Sequence, residues 1–249
     1  MRVCYFGTYD ADQPRTRVIQ EGLRKSSIDV AECRASLWPD TAERVSLARN
    51  PWALLRQVGR GARAYLGLLR QLPNLKPCDV VIYAHLGHID LLLTAWWFKR
   101  RGIPVIWDAL ISLHGTVVCD RQLVGARSFW AWLLRQIDRM ASSLADIVLV
   151  DTTQNRTYWH REMSVPLVKL HVAPVGAEDM FCQSQEQAPG RPSSSTTEVM
   201  FYGKYIPLHG VETIVRAAHL LESQPHIHWT LVGKGQQRSH VDRLAERVN

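Results

Sequence analysis

Short apolar runs alternate with longer amphipathic segments along this whole chain, and a repeated β-α architecture around a parallel sheet is what that alternation specifies. The expected strands are Arg2–Phe6, Ile28–Ala31, Asp79–Tyr83, Pro104–Trp107, Asp146–Val150, Lys169–Ala173, Glu198–Tyr202 and His228–Val232. Several are apolar at consecutive positions, as strands covered by helices on both faces must be. Helices are expected over Arg15–Lys25, Pro51–Leu72, Ile89–Arg101, Val124–Ser143, Gln154–Glu162, Val211–Glu222 and Gln236–Val248.

One segment interrupts the rhythm. Gln183–Thr197 (QSQEQAPGRPSSSTT) has no large apolar residue and is rich in Pro, Gly and Ser, the composition of a surface linker. The expected organisation is therefore an N-terminal α/β domain over 1–182, a linker over 183–197, and a second domain over 198–249. That second part has only β-α-β-α, and a two-stranded parallel sheet cannot bury both of its faces. The expectation is a truncated second domain, or one completed by something outside the sequence.

Charge and cysteine usage narrow the function classes. Thirty Lys+Arg against 23 Asp+Glu give a formal net charge of +7, which favours an anionic partner. The five cysteines are scattered without a C-x-x-C pair, so neither a zinc site nor a disulfide framework is expected. The apolar run Leu91–Phe98 is far shorter than the roughly 20 residues that cross a bilayer. The amino terminus reads as a strand rather than a leader. A cytoplasmic protein is the expectation.

Two glycine loops carry the most specific signal. In Val199–Ala218 a strand runs into Gly203-Lys204, a loop follows with Pro207, and His209-Gly210 opens a helix. Lys204, His209 and the free N–H groups of a helix start then share a crevice at the carboxyl end of a strand, a natural diphosphate site. Trp229–Gly235 repeats the arrangement one unit later with Gly233-Lys234-Gly235. The plain alternative is two ordinary βα turns.

These residues resemble the family-4 glycosyltransferases, retaining enzymes of the GT-B fold. Their second domain opens with a strand, Gly-Arg, a Pro-containing loop, Lys-Gly and a helix, then a strand ending in Gly-x-Gly. Lys204 stands for the Arg and His209 for the Lys. Two looser matches lie upstream: Lys169–Phe181 is similar to the family's crossing between domains, and Ile137–Asp151 to its long helix and following strand.

The resemblance implies a GT-B-like chain: a Rossmann-like N-terminal acceptor-side domain with a parallel sheet, and part of a nucleotide-sugar-binding domain. It implies donor contacts at Gly7, Lys204, His209, Gly210, Gly233 and Gly235. It also implies a nucleotide-sugar substrate, a lipid-linked or polysaccharide acceptor in envelope or exopolysaccharide assembly, and no metal or other cofactor. The family's acidic E-x7-E element would fall beyond residue 249; Glu178 and Glu186 have its spacing but precede the second sheet. A non-catalytic remnant or binding module is the alternative.

On the acceptor side, Arg15 and Arg17 follow the first strand, and His85, His88 and Asp108 follow later ones, where parallel sheets place ligands. By resemblance Asp108 stands near the reacting sugar and is the catalytic candidate. An ordinary strand-end aspartate and structural histidines are the alternatives. The segment 51–72, with Arg56, Arg60, Arg63 and Arg70 and no acid, suits an anionic membrane surface as an interfacial helix. This would make the protein peripheral on the inner face of the membrane; a packed surface helix is the alternative. The aromatic segment Ser128–Leu134 is expected in the core. Asp10-Ala-Asp12 reads as a solvated turn rather than a metal motif. P-loop and dinucleotide-binding motifs are absent, and basic charge without aromatic interleaving gives no support for nucleic acid.

Overall fold

The computed structural model describes residues 1–35, 51–181 and 196–248, with residues 51–58 and 248 described by backbone alone. Most of the expected linker, with Cys182 and Glu186, lies outside the described residues, as do the side chains of Trp52, Leu55 and Arg56. Contacts divide the chain into two units, Met1–Leu113 with Trp132–Cys182, and His114–Ala131 with Gln183–Asn249.

The first unit is a six-stranded parallel sheet. Its strands are β1 (Arg2–Gly7), β2 (Asp29–Arg34), β3 (Val80–Tyr83), β4 (Val105–Leu110), β5 (Ile147–Val150) and β6 (Leu170–Val172), in the order β2-β1-β3-β4-β5-β6. The order reverses between β1 and β3, so the helices divide between the faces. α1 (Pro14–Lys25) covers Val3, Tyr5 and Ile82 through Ile19 and Leu23. The opposite face carries α2 (Pro51–Gln71), α3 (His88–Lys99), α4 (Phe129–Leu144) and α5 (Thr153–Met163). There Leu68, Leu91, Phe98, Ala141 and Trp159 close over Cys4, Phe6, Val81, Tyr83 and Trp107. Strands flanked by helices on both sides explain the near-continuous apolar runs in the sequence.

The helix expected from Val124 starts at Phe129 because Ser128 caps it, its hydroxyl accepting the Ala131 N–H at 3.1 Å. Upstream, a π-helical turn at Gly115–Asp120 has no counterpart among the sequence expectations. The aromatic segment is not core: Phe129, Trp130 and Trp132 are all exposed, and Ala131 is the residue turned inward. Adjacent aromatics cannot all face one side of a helix, and here the small residue took the buried position.

The second unit holds a two-stranded parallel sheet, β7 (Thr197–Lys204) and β8 (Ile227–Lys234), with α6 (Val211–Leu220) and α7 (Arg238–Val248). Val211, Val215 and Val241 pack with Tyr205, Phe201 and Leu231 on one face of it. On the other face Met200, Tyr202 and Val232 are exposed. The two strands thus bury one face only.

Candidate functional site

Doubly wound sheets bind ligands at the carboxyl ends of their strands, near the point where strand order reverses. In the first unit that point lies between β1 and β3, and a carboxylate already occupies it. Asp90, buried near the start of α3, accepts the Thr8 backbone N–H at 2.9 Å and its hydroxyl at 3.1 Å. The Tyr65 hydroxyl lies 3.2 Å from that of Thr8. Burial raises the Asp90 carboxyl above its ordinary value. Gly7, an expected donor contact, ends β1 against this group at φ +130°, and a Cβ there would lie 2.4 Å from an Asp90 carboxylate oxygen.

One strand further, Arg15 and Asp108 meet. Arg15 Nε donates to both Asp108 oxygens at 2.9 Å, and Nη1 donates to the Ala173 carbonyl at 2.8 Å. Their side chains are only 4% and 2% exposed. The pair ties the start of α1 to β4 and to the segment after β6. Arg17 extends this staple through Glu178 at 2.7 Å, and Lys25 through Asp179. Arg15 Nη2 lies 2.8 Å from Asp108 Oδ1, while Tyr5 Oη finds no hydrogen-bond partner among the described residues.

His85 and His88 sit in different settings. His85 Nδ1–H donates to the Ala109 carbonyl at 2.9 Å, which leaves Nε2 as an acceptor. Burial lowers its pKa, opposed by that hydrogen bond and by Asp108. Two bulky residues beside this link have positive φ, Leu86 at 67° and Leu110 at 59°, and β4 shifts register between Asp108 and Leu110. Such strain gathers where a fold holds side chains in fixed positions. His88 instead points inward: Nε2 lies 2.9 Å from Asp138, whose other oxygen accepts the Ser112 hydroxyl at 2.8 Å. Asp138, Asp90 and Tyr65 were not singled out in the sequence; an isolated Asp on an amphipathic helix carries no signal of its own.

In the second unit the two glycine loops stack in register. Gly203 pairs with Gly233 and Lys204 with Lys234, and parallel register partners point to the same side. A Cβ on Gly233 would lie 1.9 Å from the Gly203 carbonyl oxygen, and one on Gly235 2.3 Å from that of Tyr205. Tyr205 is the buried hub, donating its N–H to the Lys234 carbonyl and accepting from the Gln237 N–H. The His209 ring lies against Gly203, and Gly210, at φ +60°, opens α6 without a side-chain cap. Lys204, Lys234 and His209 are all exposed at this edge. Lys234 belongs to the Gly233-Lys234-Gly235 loop, and the strand register makes it the partner of Lys204. A separate cavity of about 330 Å³, lined by Ile214, Leu221, Pro225 and Trp229 among others, takes in the opposite, amino-terminal end of β8. No group of acidic, His or Cys side chains suited to a metal occurs among the described residues.

No family model matches the chain, and no curated protein sequence does. Solved structures do. HepE from Anabaena, in complex with UDP-glucose, matches with a TM-score of 0.53 at 12% identity, over 100% of this chain and 66% of that one. UDP-GlcNAc 2-epimerase from Neisseria meningitidis bound to UDP-GlcNAc gives 0.51 at 13%, over 100% and 69%. The lipopolysaccharide outer core galactosyltransferase WaaB gives 0.50 at 10%, over 100% and 65%. The chain thus spans about two thirds of the length of these proteins. At such identities the likeness shows the fold: an α/β chain of the GT-B kind, with a six-stranded parallel sheet and a further β-α-β-α, shared by a galactosyltransferase and an epimerase.

Proposed function

We propose that this chain is the acceptor-side domain and part of the nucleotide-sugar domain of a retaining glycosyltransferase, divided at 182 and 198 as the sequence suggests. The observation that carries this is the pair of glycine loops stacked in register, with Lys204 and Lys234 side by side at the carboxyl edge of β7 and β8. Two ammonium groups, the His209 ring and the uncapped start of α6 match a diphosphate in charge and in hydrogen-bond donors. Gly233 and Gly235 let the two loops stack closely, and Gly210 supplies the positive φ from which α6 starts.

On the acceptor side, Arg15 and Asp108 form the rigid floor, Arg17 fixes the segment after β6, and His85 offers its Nε2 lone pair to an acceptor hydroxyl. His88 holds α3 to α4. The acceptor is a lipid-linked or polysaccharide saccharide of envelope or exopolysaccharide assembly, and the enzyme works on the cytoplasmic face of the membrane, with 51–72 against anionic lipid. The donor site uses no metal.

Calorimetric titration with UDP-, GDP- and ADP-sugars tests the donor site. One nucleotide sugar should bind, and Lys204→Ala should weaken it. Binding unaffected by that change overturns the assignment. Binding without turnover on any saccharide would favour the binding-module alternative.

A further inference from the structure

α3 is apolar almost all round, reading His88-Ile-Asp-Leu-Leu-Leu-Thr-Ala-Trp-Trp-Phe-Lys99. A helix of that composition is ordinarily covered on every side or faces lipid. Here Leu91, Ala95 and Phe98 are fully buried against the sheet, while Ile89, Leu93 and Trp96 are 54%, 42% and 48% exposed. Those three positions follow i, i+4, i+7 spacing and form one outward stripe. α2 covers the same face of the sheet and turns Leu66 and Leu69 outward too.

Cations border this surface. Lys99, Arg100 and Arg101 end α3, and Arg60, Arg63 and Arg70 are exposed on α2, which carries no acid. Lys99 pairs with Asp146 at 3.0 Å. The Arg100 guanidinium lies 4.9 Å above the Trp96 ring, and the indole N–H donates to the Leu93 carbonyl at 2.8 Å. The single acid of α3, Asp90, is turned inward onto Thr8. Outward apolar side chains with an aromatic, rimmed by arginine, match the boundary between headgroups and acyl chains.

We propose that the outer face of α3, continued by Leu66 and Leu69 of α2, docks on an anionic phospholipid surface. Ile89, Leu93 and Trp96 enter the interface, and Arg63, Arg70 and Arg100 meet the headgroups. This deepens the membrane reading for 51–72, on which it rests for the choice of lipid, and moves the main apolar contact to α3. A second copy of the chain is the weaker fit. A symmetric contact would bring the same arginines together on two chains of formal charge +7 each.

The test is co-sedimentation of the chain with vesicles of phosphatidylcholine alone or mixed with phosphatidylglycerol. The triple variant Ile89→Ser/Leu93→Ser/Trp96→Ser is compared with Arg60→Gln/Arg63→Gln/Arg70→Gln, both checked by circular dichroism. The unsubstituted chain should bind the mixed vesicles, and the α3 variant should bind at least about tenfold more weakly. Quenching of tryptophan fluorescence by acyl-brominated lipid should fall in Trp96→Phe, a conservative change at a half-exposed position, its fold also checked by circular dichroism. Equal binding by the α3 variant and the unsubstituted chain overturns the α3 proposal while leaving 51–72 in play. Absence of vesicle binding overturns both. A concentration-dependent dimer that the α3 variant abolishes, without lipid binding, assigns the face to a second copy.

Discussion

Arg15 and Asp108 lie 93 residues apart in sequence and form a buried ion pair in which one guanidinium nitrogen reaches both carboxylate oxygens at 2.9 Å. Removing one partner strands the other charge away from water. Asp108→Ala should therefore cost about 3–5 kcal/mol, more than the pair itself contributes. Urea unfolding followed by circular dichroism measures this. A loss below about 1 kcal/mol would mean that water reaches Arg15 and that the pair is not buried in solution.

Lys204 and Lys234 are register partners on adjacent strands, where like charges disfavour each other. Lys204→Ala should leave the stability of the free chain unchanged or slightly higher, yet weaken nucleotide-sugar binding by about tenfold or more, the worth of one charge-assisted hydrogen bond. Lys234→Ala should do the same. The nucleotide should raise the melting temperature of the unsubstituted chain and of neither variant to the same extent. Scanning calorimetry with and without ligand reads both effects. An equal rise in Lys234→Ala would place the phosphates elsewhere.

The β-α order and the glycine loops were legible because each rests on local physics: period-2 and period-3.6 patterns, and glycine where a strand turns into a helix. The pairing of Lys204 with Lys234 was not, because it depends on register between strands that lie thirty positions apart. The exposure of Phe129, Trp130 and Trp132 was missed for a related reason. Hydrophobicity says that a side chain gains from burial, but the helix's rotation is fixed by what its inward residues meet, as Ala141 meets the core over the sheet. Asp108 was singled out by its expected place just after the strand Pro104–Trp107, although β4 runs on to Leu110, while its partner Arg15 was grouped with it only by a shared edge. Which cation closes on which carboxylate is a tertiary fact.

The glycines divide by what surrounds them. Gly233→Ala drives a methyl group into the Gly203 carbonyl, 1.9 Å from the ideal Cβ position. It should destabilise the second unit by about 1–3 kcal/mol or more and abolish donor binding. Gly67 on α2 has nothing within 4 Å of its Cβ position, so Gly67→Ala should stabilise by about 0.5–1 kcal/mol through helix propensity. Chemical denaturation of the two variants side by side checks the contrast. Similar shifts in both would refute the stacked geometry of the loops.

His85 gives the fold a pH dependence with a definite sign. Its pKa is lowered below 6.5 in the folded chain, first by burial, with His88 and Arg15 acting the same way and the Ala109 hydrogen bond and Asp108 opposing. The unfolded chain then binds a proton before the folded chain does as pH falls through about 6.5. Stability contributed by the neutral imidazole is fully present above 6.5 and declines below it, down to the lowered folded value. The slope from this one group cannot exceed about 1.4 kcal/mol per pH unit. His85→Asn keeps a donor for the Ala109 carbonyl and removes the titration. Urea midpoints at pH 7.5 and 5.5 should therefore differ less in His85→Asn than in the unsubstituted chain. An identical difference would show that His85 takes up its proton as readily folded as unfolded, and its Nε2 would then be unavailable to accept from an acceptor hydroxyl in that range.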